Sequence, residues 1–189
     1  MIEFVLQNPD SDYEDSSAEN RMNIDTYLKS KPNWEPALED TTLNFYPLSV
    51  SQNSSFNPFG LIDFIIPQLY EIALRLKNNQ FAILKTTGDW RPTFFIFEPK
   101  NNITCFSVLG ILQEPYLSYY PLTNSPMFLN NNINQKEELY NYISLNRNDI
   151  LPDQSLPEIK NIEFNTSQLI CSLNEQANLG NELLEFLKT

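Results

Sequence analysis

Between positions 61 and 77 the apolar residues Leu61, Ile62, Phe64, Ile65, Ile66, Leu69, Ile72, Ala73 and Leu76 recur at three- and four-residue spacing. Asp63, Gln68, Glu71, Arg75 and Lys77 take the positions between them. That period predicts a helix over about 61–77. Pro67 lies inside it, so the helix either kinks there or begins there with a first-turn proline. The pattern then changes to strand type. Phe81–Lys85, Trp90–Phe97 and Ile103–Leu109 are rich in aromatic and β-branched residues. Thr86-Thr87-Gly88-Asp89 and Glu98-Pro99-Lys100-Asn101-Asn102 separate them with turn chemistry. The reading is an antiparallel meander over about 81–109. A fourth strand at Gln113–Tyr120 would extend it to about 120. In the middle run Phe94 and Ile96 fall on one face and Phe95 and Phe97 on the other, which is how a strand buried on both sides reads.

Weaker patterns fill the rest. Ile2–Leu6 reads as a short strand. Ile24–Lys29 reads as a brief helix with Asp25 near its start and the pre-proline residue Lys31 at its end. Leu43–Val50 reads as a strand which Pro47 consigns to an edge. Tyr120–Asn134 reads as a loop and Gln135–Leu145 as a helix carrying Leu139, Tyr142 and Ile143 on one side. Pro152 and Pro157 mark a connection. A last helix runs over about 167–187, with Thr166 or Ser167 as N-cap and Gly180 as a candidate break. The fold class is therefore α+β: a meander packed against helices at about 61–77, 135–145 and 167–187. At 189 residues, 41% of them apolar, the chain supports a hydrophobic core and is read as one domain spanning 1–189.

Charge changes the picture. The net charge is −12, and ten of the 24 acids fall within the first 40 residues against Arg21, Lys29 and Lys31. Residues 8–20 contain Asp10, Asp12, Glu14, Asp15 and Glu19 and read as a flexible acidic loop. A field of this sign repels phosphate backbones and anionic lipid, so neither nucleic acid nor membrane is an expected partner; a basic protein is. The longest apolar runs, Leu61–Ile66 and Phe94–Phe97, are too short to span a bilayer. The opening residues, Met1–Leu6, carry no basic segment followed by a long apolar run, which argues against a secretory signal and for the cytoplasm. Cys105 and Cys171 are expected to be reduced thiols packed as small hydrophobes. The 24 asparagines are scattered and suggest nucleotide bias in coding.

Candidate chemistry is narrowed mainly by what the chain lacks. It has no histidine, which removes Ser-His-Asp and Cys-His catalysis and histidine-ligated metals. Its four glycines are too far apart for a dinucleotide or Walker loop. Asp10-Ser11-Asp12-Tyr13-Glu14-Asp15 imitates a calcium loop, but Asp15 stands where the sharp turn wants glycine and Arg21 where a bidentate glutamate belongs. The solvated loop and the docking strip for a basic partner are the competing readings. In Pro115–Pro121, Tyr116, Tyr119 and Tyr120 offer stiff, amphipathic contact area for an interface, cover a core, or line a small-ligand pocket. Gly88-Asp89-Trp90-Arg91-Pro92 is a hairpin that serves either as a turn or as a binding tip. Asp63, Glu71, Asp89, Glu98 and Glu114 are the carboxylates left for metal-assisted hydrolysis, without a recognised spacing. The expectation is a protein that is not an enzyme, with no cofactor, no metal and no catalytic residue. It would mask a basic protein surface as inhibitors and immunity-type proteins do, phage-encoded anti-defence inhibitors included. Asp10, Asp12, Glu14, Asp15, Glu19, Tyr116, Tyr119 and Tyr120 are its candidate contacts. A structural subunit of an intracellular assembly is the alternative, and a carboxylate-metal hydrolase the third class.

Overall fold

The structure is a computed structural model, and it describes residues 2–11, 17, 19–38, 41–45, 62–85, 93–110 and 159–188. The chain is an α+β protein with two antiparallel sheets and three helices among the described residues. It divides into two compact units, one of residues 1–74 with 167–189 and one of residues 75–166.

In the first unit, strand β1 (Ile2–Gln7) lies between β2 (Arg21–Asn23) and β3 (Thr42–Phe45), giving the order β2-β1-β3. Alternation along β1 is strict: Ile2, Phe4 and Leu6 are buried, and Glu3, Val5 and Gln7 are half-buried. The ladder to β3 covers Ile2–Val5 and the ladder to β2 covers Val5–Gln7. Among the described residues the first half of β1 thus has a strand on one side only. Its other edge is completed by helix α3 (Thr166–Phe186): Ile2 N donates to Ser172 Oγ at 3.0 Å and Phe4 N to Gln176 Oε1 at 2.8 Å. Ser172 Oγ donates in turn to Ile2 O. Helix side chains take the place of a ladder, so the buried amide groups stay satisfied.

Helix α1 (Ile24–Ser30) follows β2 directly. Asn23 caps it by accepting from Thr26 N at 2.8 Å, and Lys31 ends it in the left-handed conformation. Helix α2 (Ile62–Lys77) begins before Pro67 and continues through it, with the proline on its exposed side. Ile62, Ile65, Ile66, Leu69, Ile72 and Ala73 are buried. Helix α3 runs unbroken through Gly180. A Cβ there would lie 2.7 Å from Ile66 Cδ1 and 2.8 Å from Ile66 Cγ1, so glycine permits α2 and α3 to approach and does not terminate the helix. Leu169, Leu173, Ala177 and Leu183 are buried at helical spacing, which leaves Cys171 on the outer side, exposed. Cys105 is buried; both thiols are free.

The second unit holds a sheet in the order β4-β5-β6-β7, with β4 at Ala82–Lys85, β5 at Thr93–Lys100, β6 at Ile103–Gly110 and β7 at Ile159–Asn165. The meander expected over 81–109 is present as β4-β5-β6. Pairing of Lys100 with Ile103 shortens the expected connection to Asn101-Asn102, with Asn101 left-handed at φ 60°. β5 lies inside the sheet, and Phe95, Ile96 and Phe97 are all buried, as a strand covered on both faces requires. Phe106 sits opposite Phe97 with ring centroids 5.1 Å apart and meets Phe164 edge-on at 5.8 Å. Pairs of this kind add about 0.5–1.5 kcal/mol each beyond area burial.

The fourth strand of the sheet is β7, where the sequence had suggested only a connection after Pro157. Phe106 pairs with Ile162 but Val108 with Ile159, so β7 carries one extra residue, a bulge that interrupts the two-residue period. Thr166 N donates to Asn102 O, and the buried Thr104 and Thr166 hydroxyls lie 2.9 Å apart. The end of α2 is tied down by Gln80 N to Arg75 O and Asn79 N to Leu76 O, with Asn79 at φ 55°, the hydrogen bonding of a Schellman cap. The expected helix at 135–145 and strand at 113–120 lie outside the described residues. No helix among the described residues is long and apolar enough to cross a membrane.

Candidate functional site

The acidic segment leaves the end of β1 and returns at the start of β2, and its two ends are clamped together. Asn8 N donates to Asn20 O and Asn8 Nδ2 to Asn20 Oδ1, both at 2.8 Å. Asparagine suits both positions because each side chain supplies a donor and an acceptor. On the outgoing limb Asp10 N bonds Asn8 Oδ1 at 3.1 Å, and Ser11 bonds Asn8 O through both its N–H and its hydroxyl. On the returning limb Asn20 N and Arg21 N both donate to Ser17 O.

These turns hold Asp10 and Glu19 at the surface, where both are exposed. Asp12, Glu14 and Asp15, the other acids of the segment, lie outside the described residues. So do Tyr116, Tyr119 and Tyr120, the Trp90–Arg91 hairpin, Asp89 and Glu114. Of the remaining carboxylates, Asp63 is exposed at the start of α2, while Glu71 and Glu98 are half-buried. Among the described residues no three His, Cys, Asp or Glu side chains are grouped to hold a metal ion.

One contact was not anticipated from the sequence. Trp34 Nε1 donates to Glu19 O at 3.1 Å, fastening the returning limb to the segment after α1. The Trp34 ring rests on Tyr27, with centroids 5.1 Å apart, and Tyr27 Oη donates to Trp34 O at 2.9 Å. Tyr27 meets Phe186 of α3 edge-on at 6.3 Å, and Lys31 Nζ stands 5.6 Å over the Phe186 ring. Tyr27 is 3% exposed, whereas Trp34 is half-buried. Burial first, and the charge of Glu35 second, raise the Tyr27 hydroxyl above its ordinary pKa of 10.0. The signal for this cluster was present in Pro32-Asn33-Trp34-Glu35-Pro36. A tryptophan between prolines in a polar stretch has neither strand nor helix to bury it and must dock elsewhere.

Both lysines of α1 and its cap have a partner within the first unit. Lys29 pairs with Asp25 at 2.6 Å one helical turn away, and Lys31 is engaged with Phe186. Arranged this way, the surface can offer carboxylates on a fixed base. Searches of protein-family models, of curated proteins and of solved structures each found no match to the chain.

Proposed function

We propose that the chain is a small acidic cytoplasmic binding protein that masks a basic surface on another protein, as an inhibitor or immunity-type protein does. It acts by occupying that surface and not by chemistry of its own. The observation that carries this reading is the placement of charge: ten acids against three cations in the first 40 residues, with Asp10 and Glu19 exposed on limbs clamped at Asn8 and Asn20. A concentrated negative field raises the encounter rate with a basic partner, in favourable cases by roughly 10-fold to 1,000-fold, and screening by salt removes the gain. A base already ordered lowers the entropy cost of presenting those groups on binding.

The test is capture by the immobilised protein from its host extract, followed by association kinetics with the captured protein at low and high salt. The expected partner is basic, and its association rate falls steeply as salt rises. The variant Asp10→Asn, Asp12→Asn, Glu14→Gln, Asp15→Asn, Glu19→Gln should slow association at least tenfold, roughly the lower end of such steering effects, while leaving the fold intact. An association rate indifferent to both salt and these substitutions sinks the reading.

A further inference from the structure

We infer that Trp34, flanked by Glu19 and Glu35, is the docking point for an arginine side chain of the basic partner. This rests on the proposed function and adds the chemistry of one contact to it. Trp34 is a half-buried aromatic residue of the first unit, and Glu19 and Glu35, which bear carboxylates, are exposed. Its position is fixed on three sides: Tyr27 backs the ring, Glu19 O holds the indole N–H, and the Tyr27 hydroxyl holds its carbonyl. The indole hydrogen bond brings the Glu19 backbone beside it, and Glu35 follows it in the chain, close enough for its charge to act on Tyr27.

Such an arrangement selects arginine over lysine. A planar guanidinium stacks on an indole face while its edge donates to carboxylates; an ammonium is a strongly hydrated point charge that cannot do both as well. Because the indole is already anchored, little rotamer freedom is lost on binding. Tryptophan and arginine are also the side chains on which binding energy concentrates at protein interfaces.

The test uses the whole protein labelled with 5-fluorotryptophan, the Trp34 resonance being assigned by its loss in Trp34→Phe. It is titrated with a short Arg-Gly repeat peptide and with a Lys-Gly peptide of equal length and charge. A saturable shift of the Trp34 resonance is expected, with the arginine peptide binding about threefold tighter, as an exposed cation–π contact implies. Glu35→Gln should weaken the arginine peptide by a similar factor without altering the melting temperature. Trp34→Phe should shrink the preference for arginine. The inference falls if the peptide binds while the Trp34 resonance stays still, if the two peptides bind alike, or if neither binds. Should any of these occur while salt-sensitive capture of the host protein persists, this contact alone is overturned; loss of that capture as well removes the proposed function with it.

Discussion

Gly180 offers a test in which two large effects oppose each other and the structure decides the sign. In an ordinary helix interior, glycine to alanine stabilises by about 1 kcal/mol, because the backbone loses freedom it would otherwise have unfolded. Here the added Cβ would stand 2.7 Å from Ile66 Cδ1 and 2.8 Å from Ile66 Cγ1, with Phe4 Cε2 at 3.6 Å. Carbon atoms at rest sit about 3.5–4.0 Å apart. Rotation about the outer bond of Ile66 moves Cδ1 but leaves Cγ1 where it is. Moving Cγ1 requires a χ1 change, and isoleucine in a helix has one strongly preferred χ1 rotamer. Ile66 is 4% exposed, so it has no solvent to retreat into. The overlap must therefore be relieved by separating α2 from α3, at the cost of about 1–3 kcal/mol typical of an overpacked core.

The expected balance for Gly180→Ala is a loss of about 1 kcal/mol, or about 2–4 °C in melting temperature for a chain of this size. Urea unfolding followed by circular dichroism measures it. Ile66→Ala supplies the control, since it removes both clashing atoms and by itself costs about 2–5 kcal/mol through the cavity it leaves. In the double variant the new Cβ occupies part of that cavity, so the pair should cost at least about 1 kcal/mol less than the sum of the singles. A Gly180→Ala protein that gains stability, with effects that simply add to those of Ile66→Ala, refutes the close approach.

Other expected outcomes concern buried polar groups. Gln176→Ala removes the acceptor of the Phe4 amide and should cost about 1–3 kcal/mol in urea unfolding, whereas Gln176→Glu keeps an acceptor and should cost less. A negligible loss for the alanine variant contradicts the edge completion of β1 by α3. Thr166→Val leaves the Thr104 hydroxyl without its partner and should destabilise by about 1–2 kcal/mol; adding Thr104→Val should add little or restore stability. Tyr27 is expected to act at alkaline pH. Its pKa is raised in the fold, so the folded state holds its proton longer than the unfolded chain does. Its contribution is complete below about pH 10 and is lost as pH rises from there through the folded value. Melting temperatures of wild type and Tyr27→Phe should converge as pH climbs above about 10, and parallel curves would rule this out.

The parts of the fold legible in the sequence were those where one physical signal dominated. β4-β5-β6 could be read because the apolar runs are dense and their separators carry turn residues, and α2 because its period persists for four turns. The reading of Pro67 as a kink or a first residue and of Gly180 as a break rested on intrinsic propensity. Tertiary contact overrode the glycine. Propensity sees a weak helix former, but the fold uses the missing side chain to let Ile66 in. β7 escaped for a different reason. Ile159, Ile162 and Phe164 do not alternate strictly, and the bulge opposite Phe106 and Val108 accounts for the slip in period. β2 was too short to leave a pattern, and only its pairing with the end of β1 makes it a strand.

For the candidate site, charge could be counted in the sequence but its support could not. The clamp between Asn8 and Asn20 joins residues that composition treats as loop filler, in a chain where asparagine is common enough to look uninformative. What distinguishes these two is position. They stand at the first residue after β1 and the last before β2, where a pair of amides can close the ladder one step beyond the strands. Trp34 then adds a restraint from outside the hairpin by taking Glu19 O, the carbonyl adjacent to the clamp. The acids of the segment repel one another, which alone would favour a splayed loop. Two asparagines and one indole oppose that repulsion at its base, using hydrogen bonds that salt does not screen. The groups that hold the two limbs together, the Asn8 and Asn20 amides and the Trp34 indole, are all neutral.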